Sequence, residues 1–261
     1  MHSIKKIYIW LTIIFLISPC LIIIPLSFTT SRFINFPPSQ YGILWYEQFF
    51  TSTQWLKALM NSVIVGIVTS LLSTSLAVVS SYFLLKSHQG RLTSSWQALL
   101  LAPAIVPVVT LSLGMYMLLG SGTILNLIIG HFLIVFPVCF LIFKSAFNEF
   151  DFNIEYSSWT LGLSKISTFF SIILPSIKNS IIISLLFGFF LSFDELVLAL
   201  YLTDAYTPTI PKLMWASIKQ EFDLTSSVIA TLIFLIQIIT FIIVIVKKGK
   251  DDDINRGRQY C

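Results

Sequence analysis

Two adjacent acids, Asp194 and Glu195, stand in the otherwise uncharged run from Asn179 to Leu202. A carboxylate in such surroundings is costly, so it marks a pathway or a pair, and its negative charge would attract a cation. Ser184, Gly188, Ser192, Glu195 and Ala199 recur at three-four spacing and form a small, polar stripe on a helix. Asp194 projects about 100° away from that stripe, beside Phe187 and Phe190. Bond-making chemistry would need more, namely a nucleophile, a base or metal ligands brought together. His2, His88 and His131 are scattered, and no His-Glu-x-x-His occurs. Cys20, Cys139 and Cys261 have neither metal nor disulfide spacing. These observations argue against an intramembrane protease or transferase. No Gly-x-x-x-x-Gly-Lys-[Ser/Thr] loop is present to cradle phosphates either. His131 reads as a hydrogen-bonder facing a helix bundle.

The second candidate is residues 145–178, where Glu149, Asp151, Glu155, Lys165 and Lys178 alternate with Phe, Ile and Leu. The segment is too polar to cross a membrane and too regular for a linker. It predicts two short helices meeting at Leu161-Gly162, where glycine supplies the positive φ of a helix C-cap. Pro175 marks a start or kink of the helix leading into the run from Asn179. A helix–turn–helix of this kind wants a partner surface.

These groups must be held by membrane-spanning helices. Of the 261 residues, 56% are apolar or aromatic and 11% are charged, against about 25% charged in a soluble domain. A crossing takes about 20 apolar residues. Blocks of that length lie at 7–28, 60–85, 96–119, 123–143, 179–202 and 226–246. Gly120-Ser121-Gly122 divides the third from the fourth. The expected fold is an all-α integral membrane domain of six helices over 1–261, with 145–178 between helices four and five. Six crossings put both termini on one side, with twelve Lys and Arg there and four (Arg32, Lys57, Lys212, Lys219) opposite. That bias predicts cytoplasmic termini. The net charge of +4 is then a topology signal and not a nucleic-acid footprint. The first block is too long for a signal peptide, and Pro19 before Cys20 is wrong for lipoprotein processing. Outside, Pro37-Pro38 stiffens the loop 29–54. A helix with Leu213, Met214, Ile218 and Phe222 on one side and Lys212, Lys219 and Glu221 elsewhere is expected at the outer surface. Trp10, Trp45, Trp55, Trp96 and Trp215 fall near span ends, as interface anchors do. Pro103, Pro107 and Pro137 read as kinks or packing features, and Asp251-Asp252-Asp253 as a solvated tail.

Gly162, nine residues, Ile172, one residue, Leu174-Pro175 resembles the second half of the cytoplasmic signature of ABC importer permeases. Leu161 before the glycine is also typical. The first half departs, with Tyr156-Ser157-Ser158 in the Glu-Ala-Ala positions and Glu155 one residue early. Trp55-Leu56-Lys57-Ala58-Leu59-Met60-Asn61-Ser62, Ala102-Pro103-Ala104-Ile105-Val106-Pro107, Gly130-His131 with Pro137, Ser192-Phe193-Asp194-Glu195 and Thr209-Ile210-Pro211-Lys212-Leu213-Met214-Trp215 match the family's segments in order. The set most resembles the spermidine/putrescine-type branch. The resemblance implies a permease with no catalysis and no cofactor of its own. ATP and Mg would sit on a separate dimer of ATP-binding subunits, which grips the coupling segment. Glu155, Tyr156, Ser157, Ser158, Leu161, Gly162, Ile172, Leu174 and Pro175 are then the coupling residues. A second permease chain (a heterodimer is favoured), an extracytoplasmic substrate-binding protein and lipid of the bacterial inner membrane are the implied partners. Polyamine is the implied cargo, with another small solute (anion, metal or amine) as the alternative. Two readings of the acids stay open. In one, Ser192, Asp194 and Glu195 belong to the substrate pathway, with Glu195 facing it and attracting a cation while Asp194 holds a neighbouring helix or joins the same site if the helix is unwound. In the other, the acids are solvated near the headgroups or paired with the second permease.

Overall fold

The computed structural model describes residues 2–33, 35–86, 90–219 and 223–259. His88, Glu221, Phe222 and Cys261, and the side chains of Asp251 to Asp253, lie outside the described set. Among the described residues the chain is helical, with no strand beyond an isolated bridge between Thr29 and Tyr41. The helices run α1 (His2–Ser27), α2 (Leu44–Thr51), α3 (Thr53–Lys86), α4 (Gly90–Ile105), α5 (Val108–Leu119), α6 (Ile124–Glu149) and α7 (Asn153–Thr160). Next come α8 (Lys165–Thr168), a π-helical turn (Phe169–Ile173), α9 (Leu174–Ser176), α10 (Lys178–Phe193), α11 (Val197–Leu202), α12 (Ile210–Lys219) and α13 (Thr225–Gln259).

Among the described residues, four stretches are long and apolar enough to cross a membrane: Lys6–Ser27, Thr53–Lys86, Ile124–Glu149 and Thr225–Val244. Two bent pairs, Ser94–Ile105 with Val108–Leu119 (93°) and Lys165–Ser176 with Lys178–Phe193 (72°), raise the number to six if each is one span. Two of the expected helices are not continuous. The block 96–119 breaks at Val106-Pro107, because proline pushes the residue before it out of the α region and has no N–H to donate. Pro107 itself has ψ 129°. The block 179–202 breaks after Phe193, and α11 restarts at Val197.

Residues 1–56 and 214–261 form one compact unit. Within it α1 packs on α13, and Thr231 Oγ1 donates to the Ile23 carbonyl at 3.4 Å. Ser27 and Tyr46 hydroxyls are hydrogen-bonded at 2.9 Å, and the Tyr46 ring stacks on Phe28 with centroids 5.1 Å apart. Trp45, Phe49 and Trp55 are buried here. Trp45 and Trp55 thus pack inward instead of anchoring at a lipid interface, whereas Trp10, Trp96 and Trp215 are exposed.

The second unit, 57–213, contains both candidate sites. Its core is built on α6, where Phe140, Phe143 and Phe147 are buried against Ile173 and Ile177. Val65, Leu127, Leu198 and Leu202 form a second cluster. Helix α3 is inverted relative to a soluble helix. Asn61, Ser62, Thr69, Ser70, Ser73, Thr74 and Ser81 are buried, while Met60, Ile64, Ile67, Leu71, Leu76 and Phe83 are exposed. Small hydroxyl residues suit a helix contact in lipid, because they allow close approach and bond across it. Thr74 and Ser184 hydroxyls meet at 2.9 Å. A Cβ on Gly188 would lie 3.1 Å from Val135 Cγ1 and 3.3 Å from Ser70 Cβ, so α10 sits close on both α3 and α6.

Candidate functional site

The first site is the segment leaving α6. Asp151 accepts from the Asn153 N–H at 3.0 Å and opens α7. The α7 helix closes at Leu161, and Gly162 adopts φ +90°, with its N–H bonded to the Trp159 carbonyl at 3.0 Å. The Leu163 N–H reaches back to the Ser158 carbonyl at 3.1 Å. Ser164 then caps α8 through the Ser167 N–H at 3.2 Å. Nothing lies within 4 Å of a Cβ built on Gly162. The turn is therefore open on its outer side, and glycine is needed there for its backbone alone.

The residues expected to couple divide into two sets. Tyr156, Ser157, Leu161, Gly162 and Pro175 are exposed, and Ile172 and Leu174 are half-buried. Leu161 is 83% exposed, and Ile166 (73%) and Phe170 (63%) continue the same apolar character. Glu155 and Ser158 are turned inward. Ser158 bonds the Glu155 carbonyl at 2.7 Å and Thr168 Oγ1 at 2.8 Å, stitching α7 to α8. Glu155 is 0% exposed. Its Oε1 accepts from Lys86 Nζ at 2.6 Å and from the Tyr82 hydroxyl. Lys86 also lies 4.3 Å from the centre of the Trp159 ring. Lys86, Tyr82 and Trp159 were not singled out by sequence reasoning. The signal available was that Lys86 is the first charge after the run that begins past Lys57.

The second site is the break between α10 and α11. Asp194 is exposed, and Glu195 is half-buried. Glu195 Oε1 accepts from the Val197 N–H at 2.8 Å and the Leu198 N–H at 3.1 Å, so the carboxylate caps α11. A carboxylate suits that place because the first N–H groups of a helix have no partner within it. Ser192 is buried and bonds His131 Nδ1 at 2.7 Å, whereas His131 Nε2 has no partner among the described residues. Ser62, Val65, His131, Ser192, Phe193, Glu195, Thr209 and Pro211 line one narrow cleft. Asn61 Nδ2 donates to the Pro208 carbonyl at 2.8 Å, and the Ile210 N–H donates to Ser62 Oγ at 2.9 Å. The loop before α12 is thereby tied to α3. Asn61, Ser62 and Thr209 are further residues that sequence reasoning placed only within recurring segments. Beyond the cleft, Asp204 accepts from the Thr207 hydroxyl and from the Tyr206 and Thr207 N–H groups, each at 2.8 Å. Those donors, the Thr207 hydroxyl first, hold its carboxyl below the ordinary range. No group of three or more His, Cys, Asp or Glu fit to hold a metal occurs among the described residues.

The arrangement offers an exposed apolar turn and a polar cleft at a broken helix, and no metal-holding cluster among the described residues. Residues 75–248, well over half of the chain, match the family of binding-protein-dependent transport system inner membrane components. The chain belongs to that family. It is a permease component of an ABC importer, an inner-membrane protein and not an enzyme. The permease is 24% identical over 260 residues to the putrescine transport system permease protein PotI of Escherichia coli K12, covering 94% of this chain and 92% of PotI. It is 23% identical over 233 residues to the spermidine/putrescine transport system permease protein PotC of the same organism, covering 87% of each. Among solved structures it is similar to a bacterial ABC transporter involved in import of the acidic polysaccharide alginate, with a TM-score of 0.70 and 13% identity. That match covers 95% of this chain and 93% of the other and bears on the fold alone.

Proposed function

We propose that this permease carries polyamine of the spermidine or putrescine kind, crossing the membrane six times with both termini in the cytoplasm. The carrying observation is the family match together with relatives named for putrescine and spermidine transport over most of their length. On this reading residues 145–178 are a cytoplasmic lever. A dimer of ATP-binding subunits, holding ATP and Mg, grips the exposed face around Tyr156, Leu161 and Gly162. A second permease chain completes the pore as a heterodimer, and an extracytoplasmic binding protein delivers the cargo. The alginate transporter in one similar structure is in complex with a periplasmic protein. Ser192, Asp194 and Glu195 line the pathway, with the exposed Asp194 free to meet a cation while Glu195 holds α11 in place.

Uptake of radiolabelled putrescine into proteoliposomes holding the whole transporter tests the reading. Wild type is expected to accumulate putrescine with ATP. Asp194→Asn is expected to lower uptake at least tenfold, and Glu195→Gln less. Full putrescine uptake by both variants removes the acids from the pathway, and no uptake by wild type removes polyamine as cargo.

A further inference from the structure

We propose that Lys86 and Glu155 form an internal clamp that delivers the movement of the coupling helix α7 directly into α3. The proposal rests on the reading of residues 145–178 as the lever. Glu155 stands in the first turn of α7 and Lys86 in the last turn of α3. The carboxylate is 0% exposed, so no protein docking from outside can touch it. Its partner is inside the same chain, at 2.6 Å. Around this pair aromatic rings come from α3, α6, α7 and the π-helical turn. Lys86 covers the Trp159 ring, and Tyr82, itself bonded to both charges, lies 5.9 Å from Phe147 of α6 and 5.3 Å from Phe169 of the π-helical turn.

The chain itself links α7 only to α6 on one side and to α8 on the other. A push on Leu161 would therefore enter the bundle through α6 and α10. The clamp adds a third route, and it leads to the helix whose hydroxyl face contacts α10 and whose Asn61 and Ser62 hold the cleft loop. The pair is suited to transmission because its carboxylate is fully enclosed while the Lys86 side chain is 25% exposed. Losing Lys86 leaves an uncompensated charge on the buried carboxylate, so Glu155 is held to α3 as long as it stays ionised. Glu155 is thus a positioning residue, and Leu161 with its exposed neighbours is the surface the ATP-binding subunit meets.

The test uses the complete transporter with its ATP-binding subunits, second permease chain and binding protein in proteoliposomes. Two quantities are read: co-purification of the ATP-binding subunit, and the ratio of binding-protein-stimulated to basal ATP hydrolysis. Glu155→Gln and Lys86→Met are expected to keep the subunit bound and to keep basal hydrolysis within about twofold. Their stimulation ratio is expected to fall by about five- to hundredfold, the span of an ordinary coupling free energy. Lys86→Arg, which keeps the charge, is expected to retain the ratio. Loss of the ATP-binding subunit in Glu155→Gln would make Glu155 a docking residue and overturn the clamp, as would an unchanged ratio. Where the single variants fail to accumulate, the neutral double Lys86→Met/Glu155→Gln leaves no unpaired charge and is scored the same way. A ratio within twofold of wild type then overturns the proposal. Leu161→Asp checks the underlying reading separately: its failure to release the ATP-binding subunit would sink the lever and the clamp with it, whereas normal release together with an unchanged ratio in the Lys86 and Glu155 variants sinks the clamp alone.

Discussion

Replacing Gly162 by alanine isolates the backbone of the coupling turn. Gly162 has φ +90°, and a Cβ there would have nothing within 4 Å. The substitution therefore costs no packing, and the whole penalty is that of an L-residue held at positive φ, about 1–2 kcal/mol. At about 1.4 kcal/mol per factor of ten, that shifts the turn away from its native geometry by roughly 5- to 30-fold. The Gly162 and Leu163 hydrogen bonds back to Trp159 and Ser158 are the contacts placed at risk. Asparagine tolerates the left-handed region better than alanine, and valine is worse than either, because branching at Cβ crowds the backbone. The expected order of retained binding to the ATP-binding subunit is Gly, Asn, Ala, Val. Pull-down titration with purified subunit measures it, and thermal aggregation of the permease in detergent is the control. The spans are expected to keep their midpoint, since the turn is open. A Gly162→Ala permease that binds normally would refute the claim that this backbone geometry presents Leu161. One that loses stability in step with binding would refute the claim that the turn is free of packing.

Three further outcomes are expected in the second unit. Gly188→Leu should overpack the contact with Val135 and Ser70, costing about 1–3 kcal/mol, while Gly188→Ala is milder; thermal midpoints in detergent check both. A double-mutant cycle of Thr74→Val and Ser184→Ala is expected to give a coupling of about 0.6 kcal/mol, the usual worth of a hydrogen bond between helices in lipid, measured by unfolding in mixed micelles. Asp204 has a lowered pKa, so its contribution is present at neutral pH and is lost as pH falls through its folded value. Protection of the 204–207 amides from hydrogen exchange, taken relative to their intrinsic rate at each pH, is expected to fall on acidification below the ordinary carboxylate range, and Asp204→Asn to remove that dependence.

Helix existence and the turn at Leu161-Gly162 were readable because each is encoded locally. An uncharged run of twenty residues and a glycine after Leu161 need no knowledge of neighbours. The stripe Ser184, Gly188, Ser192 was readable for the same reason, and Ser184, Gly188 and Ser192 are buried. What failed was continuity. Pro107 was seen as a kink, yet the bend there reaches 93°. The break after Phe193 has no proline or glycine to announce it, and the structure explains it by the Glu195 carboxylate capping α11, a use of the acid that periodicity on one uninterrupted helix could not reveal. The direction of Glu155 was also hidden. The motif places it on the lever, but only the distance from Lys86, which is 69 residues away in sequence, shows that it points inward.

The same physics accounts for both sites. In lipid an apolar side chain gains little by turning inward, so α3 can leave Leu71, Leu76 and Phe83 outside and give its inner face to hydroxyls. Among those hydroxyls Thr74 meets Ser184 of α10 at 2.9 Å. Firm attachment is then needed only where force must enter or where the path must stay shaped. The ion pair of Lys86 and Glu155 stands at one end of α3, and Asn61 and Ser62 grip the 208–210 loop at the other. A helix tied at both ends is, on the proposed reading of 145–178 as a lever, a rod between that lever and the cleft. If that is how α3 works, substitutions along its middle hydroxyl face should lower stability more than coupling, and substitutions at its two ends should do the reverse.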